Sequence, residues 1–158
     1  MESKNNIKSI DTNVSNERRK YLDMFSEPEV TAYDFMCLFS ATCASQEKYI
    51  FDRDQLLAFI KSCKLNGQHS VLLQDINIKS NGVFDCSENY DEAIAKLKWA
   101  KILYTVSPEQ DASIHIFEDT PCDELIKPRI QYADEMAQFV DNFHEYGTRG
   151  QAKAINVK

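Results

Sequence analysis

The apolar positions of this chain change period several times, and each change predicts an element. From Thr31 onward, Ala32, Phe35, Met36, Phe39 and Cys43 recur at helical spacing, and Leu38 and Ala41 widen that face. Thr31 with Asp34 has the pattern of a capping box at the helix start. A second helix follows Asp52, carried by Leu56, Leu57, Phe59, Ile60 and Cys63, with Gln55 three residues after its cap. Asn66-Gly67 ends it, because Gly67 suits the left-handed position past a helix C-terminus. Ile50-Phe51, just ahead of that helix, reads as a hydrophobic staple or a short strand. The signal then weakens. Ile76 and Ile78 suggest a brief extended piece, and Ser80-Asn81-Gly82 is a turn that delivers Val83 and Phe84 to the next element.

The stretch from Ser80 to Phe117 organises the rest. Tyr90, Ala93, Ile94, Leu97 and Ala100 line one helical face behind Asn89, the expected N-cap, with Glu92 completing a capping box. Asp91 and Glu92 in the first turn and Lys98 and Lys101 in the last complement the helix dipole, and Glu92 with Lys96 is a surface pair. The period then falls to two, predicting a hairpin of residues 101–106 with 112–117 around a polar turn at Ser107–Asp111. Thr120 is expected to cap a short helix that Pro121 opens and Pro128 interrupts. A longer helix is expected from about Arg129. Ile130, Ala133, Met136, Ala137, Val140 and Phe143 form its apolar stripe, and Gly147 is its expected stop. Its other face holds Gln131, Asp134, Glu135, Gln138, Asp141, Asn142 and Glu145. The stripe either packs within the chain or is offered to a partner.

The predicted fold is α+β and mostly helical: a winged-helix-like core with a C-terminal amphipathic helix. The plainer alternative is a helix plus hairpin in a general α+β domain. Residues 1–20 read as a flexible basic arm, with a short helix from Asn16 toward Phe25. Residues 21–147 read as one globular domain, and 148–158 as a flexible basic tail.

Charge narrows the function. The net charge is −7; residues 1–20 carry +2 and residues 148–158 carry +3, so residues 21–147 carry −12. A body of that sign repels phosphate backbones, because nucleic-acid affinity rests on Lys and Arg. No apolar run approaches the roughly 18 residues of a bilayer span. The first twenty residues hold no apolar core of an export signal, so the expectation is a cytoplasmic protein. The five cysteines show no CxxC spacing; Cys37, Cys43 and Cys63 fall in apolar helical patterns and read as buried reduced thiols.

Reactive constellations are thin. His69, His115 and His144 lack metal-ligand spacing, and His144 near a helix C-terminus is expected to favour its charged form. Glu118-Asp119 with Asp123-Glu124 lacks the spacing and glycine of a calcium loop. With four glycines there is no phosphate-cradling loop, and no nucleophile elbow occurs. The expectation is a non-enzyme without metal or cofactor.

From Thr31 to Phe117 the chain resembles the SocA/Panacea-type antitoxin domain and the small middle components of bacterial three-component defence systems. The similarity lies in the helix Thr31–Cys43, the DRDQLLAFIKSCKLNG helix behind Phe51, the Ser80–Phe84 segment, and an acidic-start helix running through Ala100-Lys101-Ile102-Leu103 into a two-stranded wing. Asn81-Gly82 stands where such domains carry Gly-Pro. The resemblance implies a bacterial or phage protein, of an antiviral-defence or counter-defence kind, that grips another protein. The expected partner is a toxin, nuclease or ATPase subunit, held by Met136, Val140 and Phe143 with Glu135 and Asp141 as a charged rim. Two other readings stay open. One is a DNA-binding regulator using Lys96, Lys98 and Lys101, against which Glu88, Asp91 and Glu92 stand at the end that meets bases. The other is an acidic inhibitor of a nucleic-acid-binding protein.

Overall fold

The computed structural model describes residues 28–110 and 112–156. The expected basic arm and the helix between Asn16 and Phe25 lie outside the described residues.

Helix α1 (Ala32–Ser45) starts at the predicted capping box. Thr31 Oγ1 accepts from Asp34 N at 3.0 Å, and Asp34 Oδ2 accepts from Thr31 N at 3.2 Å. Its apolar residues run almost all the way round, and so does its burial, from Ala32 to Ala44. It is the central helix.

Strand β1 (Ile50–Asp52) resolves the alternative at Ile50-Phe51 in favour of a strand. Asp52 also caps helix α2 (Arg53–Leu65), its Oδ1 accepting from Gln55 N at 2.8 Å. Gly67, at φ 67°, takes the left-handed position past the end of α2. The loop that follows is pinned from both sides. Lys64 Nζ donates to Leu73 O and Ile76 O, and Asp75 Oδ2 accepts from Ala32 N at 2.7 Å.

A hairpin that the periodicity did not predict comes next: β2 (Lys79–Ser80) against β3 (Asp85–Cys86), with Lys79 opposite Cys86. Asn81 makes it, its Oδ1 accepting from Val83 N and Phe84 N at 2.9 Å each, while Gly82 supplies φ 88°. Helix α3 (Glu88–Trp99) therefore begins behind Ser87 rather than Asn89. Asn89 is spent elsewhere: its Nδ2 donates to Asp75 O at 2.9 Å, tying α3 to the pinned loop.

The expected hairpin forms, but shorter than predicted, as β4 (Leu103–Tyr104) and β5 (Ser113–Ile116). The three-stranded antiparallel sheet has the order β1-β5-β4, with Phe51 opposite Ile114 and Leu103 opposite Ile116. All four of those side chains are buried.

Thr120 does not cap the next helix: its Oγ1 donates back to Phe117 O at 2.6 Å. Helix α4 (Cys122–Ile126) gives way at Pro128 to a 3-10 stretch, Lys127–Tyr132, with Arg129 at φ −124°, ψ 22°. Helix α5 (Ala133–Asn156) thus begins later than expected, and it runs through Gly147 instead of stopping there. The backbone expected to become a tail at 148 remains helical to Asn156.

Helices α3, α4 and α5 all pack on α1. Where α5 meets α1 and α2, the core is aromatic: ring centroids lie 5.3 Å apart for Phe35–Phe139, 5.1 Å for Phe39–Phe51 and 5.1 Å for Phe59–Phe139. Arg129 locks the 3-10 stretch to α1, its Nε 2.7 Å from Asp34 Oδ1 and its guanidinium over the Tyr33 ring.

Candidate interaction surfaces

The apolar stripe expected to receive a partner faces inward. Met136 and Val140 are 0% exposed and Phe143 is 4% exposed, all packed in the aromatic core. The physical reason is packing: the stripe covers α1 and α2, and only its first residue departs from it. Ile130 seemed to start the stripe, but it lies in the 3-10 stretch and points to solvent. The face that α5 buries is Met136, Phe139, Val140 and Phe143, spaced three, four and seven apart from the first. Phe139, absent from the predicted stripe, touches Phe35, Phe39, Phe59 and His69. Covering α1 is the larger apolar gain, so these residues are part of the fold rather than of a free surface.

The two charged rim residues are at the surface but engaged. Glu135 Oε1 lies 3.5 Å from His69 Nδ1, and Asp141 Oδ1 accepts from Gln46 Nε2 at 3.3 Å. They staple α5 to the loop after α2 and to the end of α1. The face that α5 turns outward is polar: Asp134, Gln138, Asp141, Asn142 and Glu145 are exposed on it.

His144 sits inside α5 rather than at its end, because the helix continues past it. Its pKa is lowered, first by burial and then by Lys48, with Asp141 pulling the other way. Its Nε2 is buried with no hydrogen-bond partner. The helix-end argument for a charged His144 therefore fails.

Two other surfaces carry exposed apolar groups. The β2–β3 hairpin holds out Val83 (87% exposed) and Phe84 (61% exposed). Behind Phe84 lies a cleft of about 440 Å³ whose walls include Arg53, Asp54, Asp85, Tyr90 and Asp91. Lys61 Nζ reaches Asp85 at 3.0 Å and, as the main cause, holds that carboxyl below its ordinary range. The roof of the cleft is steadied by Tyr90, buried, whose hydroxyl donates to Arg53 O at 2.8 Å.

The outer face of α3 is the second. Glu88, Asp91, Glu92, Ala95, Lys96 and Trp99 are exposed along it, in the three-four spacing of one helical side. The side is acidic at its start and basic at its end. Trp99, at the end, is 89% exposed. Lys96 pairs with Glu92 at 3.2 Å, both more than half exposed. Lys101 stands just past the helix at φ 60°, the position that usually favours glycine.

The thiols divide as their neighbourhoods require. Cys37, Cys43 and Cys63 are buried, Cys86 is exposed, and none of the five is in a disulfide. Burial pushes the Cys43 thiol up to about 12, against a smaller opposing pull from Lys48. Among the described residues, no three or more His, Cys, Asp or Glu side chains are grouped to hold a metal ion. Among the same residues, no helix is long and apolar enough to cross a membrane.

Compared with known proteins, the chain matches no family model, no curated protein and no solved structure.

Proposed function

We propose that the chain is a non-enzymatic, cytoplasmic protein-binding module of the antitoxin-like or defence-accessory kind, which occludes or scaffolds a partner bearing a basic surface. The carrying observation is the face that α5 turns outward once its stripe is buried: Asp134, Asp141 and Glu145 on one long helix of a strongly acidic body. A row of carboxylates on a rigid helix steers and orients a cationic partner, such as a toxin, nuclease or ATPase subunit. The docking residues of this reading are therefore the outer carboxylates, with Glu135 and Asp141 at their edge, and no longer Met136, Val140 and Phe143.

The order helix, strand, helix, hairpin, helix, strand, strand, with the first strand beside the last, supports a winged-helix reading of the core, the β2–β3 hairpin being an addition to it. That arrangement also favours the second reading, a DNA regulator with α3 as the reading helix. The charge of α3 opposes it, since Glu88, Asp91 and Glu92 occupy the end that meets base edges in such domains.

Co-purification from the native host tests the first reading. The wild-type chain is expected to retain a basic partner that the folded Asp134→Lys/Asp141→Lys/Glu145→Lys variant loses; equal retention by both overturns it. A gel shift at low and moderate salt tests the second. Tight, steeply salt-dependent duplex binding by the wild-type chain favours the regulator.

A further inference from the structure

We infer that the outer face of α3 is a two-fold interface between copies of this chain, with two α3 helices packed antiparallel about Ala95. The inference goes beyond the partner reading and uses a different helix.

The face is complementary to itself. Read along α3, it runs acid, acid, acid, small, base, aromatic: Glu88, Asp91, Glu92, Ala95, Lys96, Trp99. An antiparallel copy brings the acidic half of each helix against the basic half of the other, twice over. A two-fold interface requires that self-complementarity, because one patch must serve as both surfaces. With Ala95 on the axis, Glu88 and Glu92 of one copy come opposite Lys98 and Lys101 of the other. Ala95 is exposed and small, so the helix axes can approach closely at the crossing. The pair Glu92–Lys96 within each chain is no obstacle, since exposed pairs of this kind are worth little.

The same arrangement accounts for the apolar groups that the fold leaves in water. Trp99 lies at the C-terminal end of the face, beside a shallow depression shared with Ala95, Lys98 and Lys101. Phe84 and Val83 lie at the N-terminal end, where Phe84 shares a cleft with Asp91 of α3. Antiparallel pairing carries Trp99 of each copy toward the Phe84 hairpin of the other. A 12-residue helix alone makes a small contact. Four aromatic side chains at ~150–250 Å² each supply most of the ~1,200 Å² at the low end of specific interfaces.

The test is the mass of the full chain in solution across a concentration series, by sedimentation velocity or light scattering, with circular dichroism as a fold control. The wild-type chain is expected at twice the chain mass, and Trp99→Ala weakens association by roughly tenfold or more, as for a buried aromatic anchor. Glu88→Lys/Glu92→Lys is expected to run as a single chain, and so is Lys96→Glu/Lys98→Glu/Lys101→Glu. Mixing these two variants is expected to restore a one-to-one pair, which only an acid-to-base match of this face predicts. A wild-type chain that stays single at every concentration overturns the inference. So does a dimer that both charge variants leave intact. A single chain that shifts duplex DNA through Lys96, Lys98 and Lys101 overturns it as well, and assigns the face to nucleic acid. The mass outcomes leave the partner reading untouched, since it stands or falls on the α5 variant; only duplex binding would also favour the regulator over it.

Discussion

Among single residues, His144 has the sharpest consequence. Burial is the main cause that lowers its pKa, and the nearby Lys48 cation adds to it. The unfolded chain therefore takes up a proton at a pH where the folded histidine remains neutral. Stability is full above the ordinary histidine value of about 6.5 and declines as pH falls through it, until the folded group is protonated too. Urea midpoints at about pH 8 and about pH 5.5 should differ more for the wild-type chain than for His144→Phe; equal differences would exclude the role. Asp34 acts at lower pH. Burial pushes its carboxyl up, but hydrogen bonds from Arg129 and Thr31 outweigh that and leave it lowered. Its contribution is complete above the ordinary carboxylate range and is lost as pH falls through the lowered value.

For the elements, the instructive residue is Gly147. Read as a helix stop it would need a left-handed backbone, and alanine there would destabilise. In the structure α5 passes through it, and an added Cβ would come nearest the Gln55 amide, at 3.1 Å from Nε2, the far end of a side chain that can swing aside. Gly147→Ala is thus expected to stabilise by about 0.5–1 kcal/mol, read as a rise in the thermal midpoint. A fall would restore the stop. Which elements were legible in the sequence follows from how local their causes are. Thr31–Asp34, Asp52–Gln55, Gly67 and Gly82 act within a few residues, and each does what the sequence predicts. Asn89 carries an equally good cap signal but is taken by Asp75, a distant partner that no periodicity reveals, while Thr120 fails at short range because its hydroxyl turns back to Phe117 O. The β4–β5 hairpin was visible as alternation, whereas the β2–β3 hairpin has two-residue strands, too short to alternate. The candidate site failed through burial, not phase: Met136, Val140 and Phe143 lie on the predicted face, with Phe139 beside them, but that face is spent on covering α1 and α2.

On the scale of the whole molecule, α5 is the cover of the core and not an appendage to it. It brings Met136, Phe139, Val140 and Phe143 against Phe35, Phe39 and Phe59. A chain ending at Tyr132 is therefore expected to lose cooperative unfolding and to bind a dye for exposed apolar surface. A sharp two-state melt from that fragment would show the cover to be dispensable. The sheet makes a similar demand, since β1 finds its neighbour β5 only after α2, the β2–β3 hairpin, α3 and β4 have intervened. Both facts set a timetable for synthesis. The ribosome releases the greasiest helix, α1, well before its shield, α5, so the nascent chain elongates through that whole interval with Phe35 and Phe39 bare. Codon tempo and chaperone supply, which leave the finished protein untouched, then decide how much of it is ever finished.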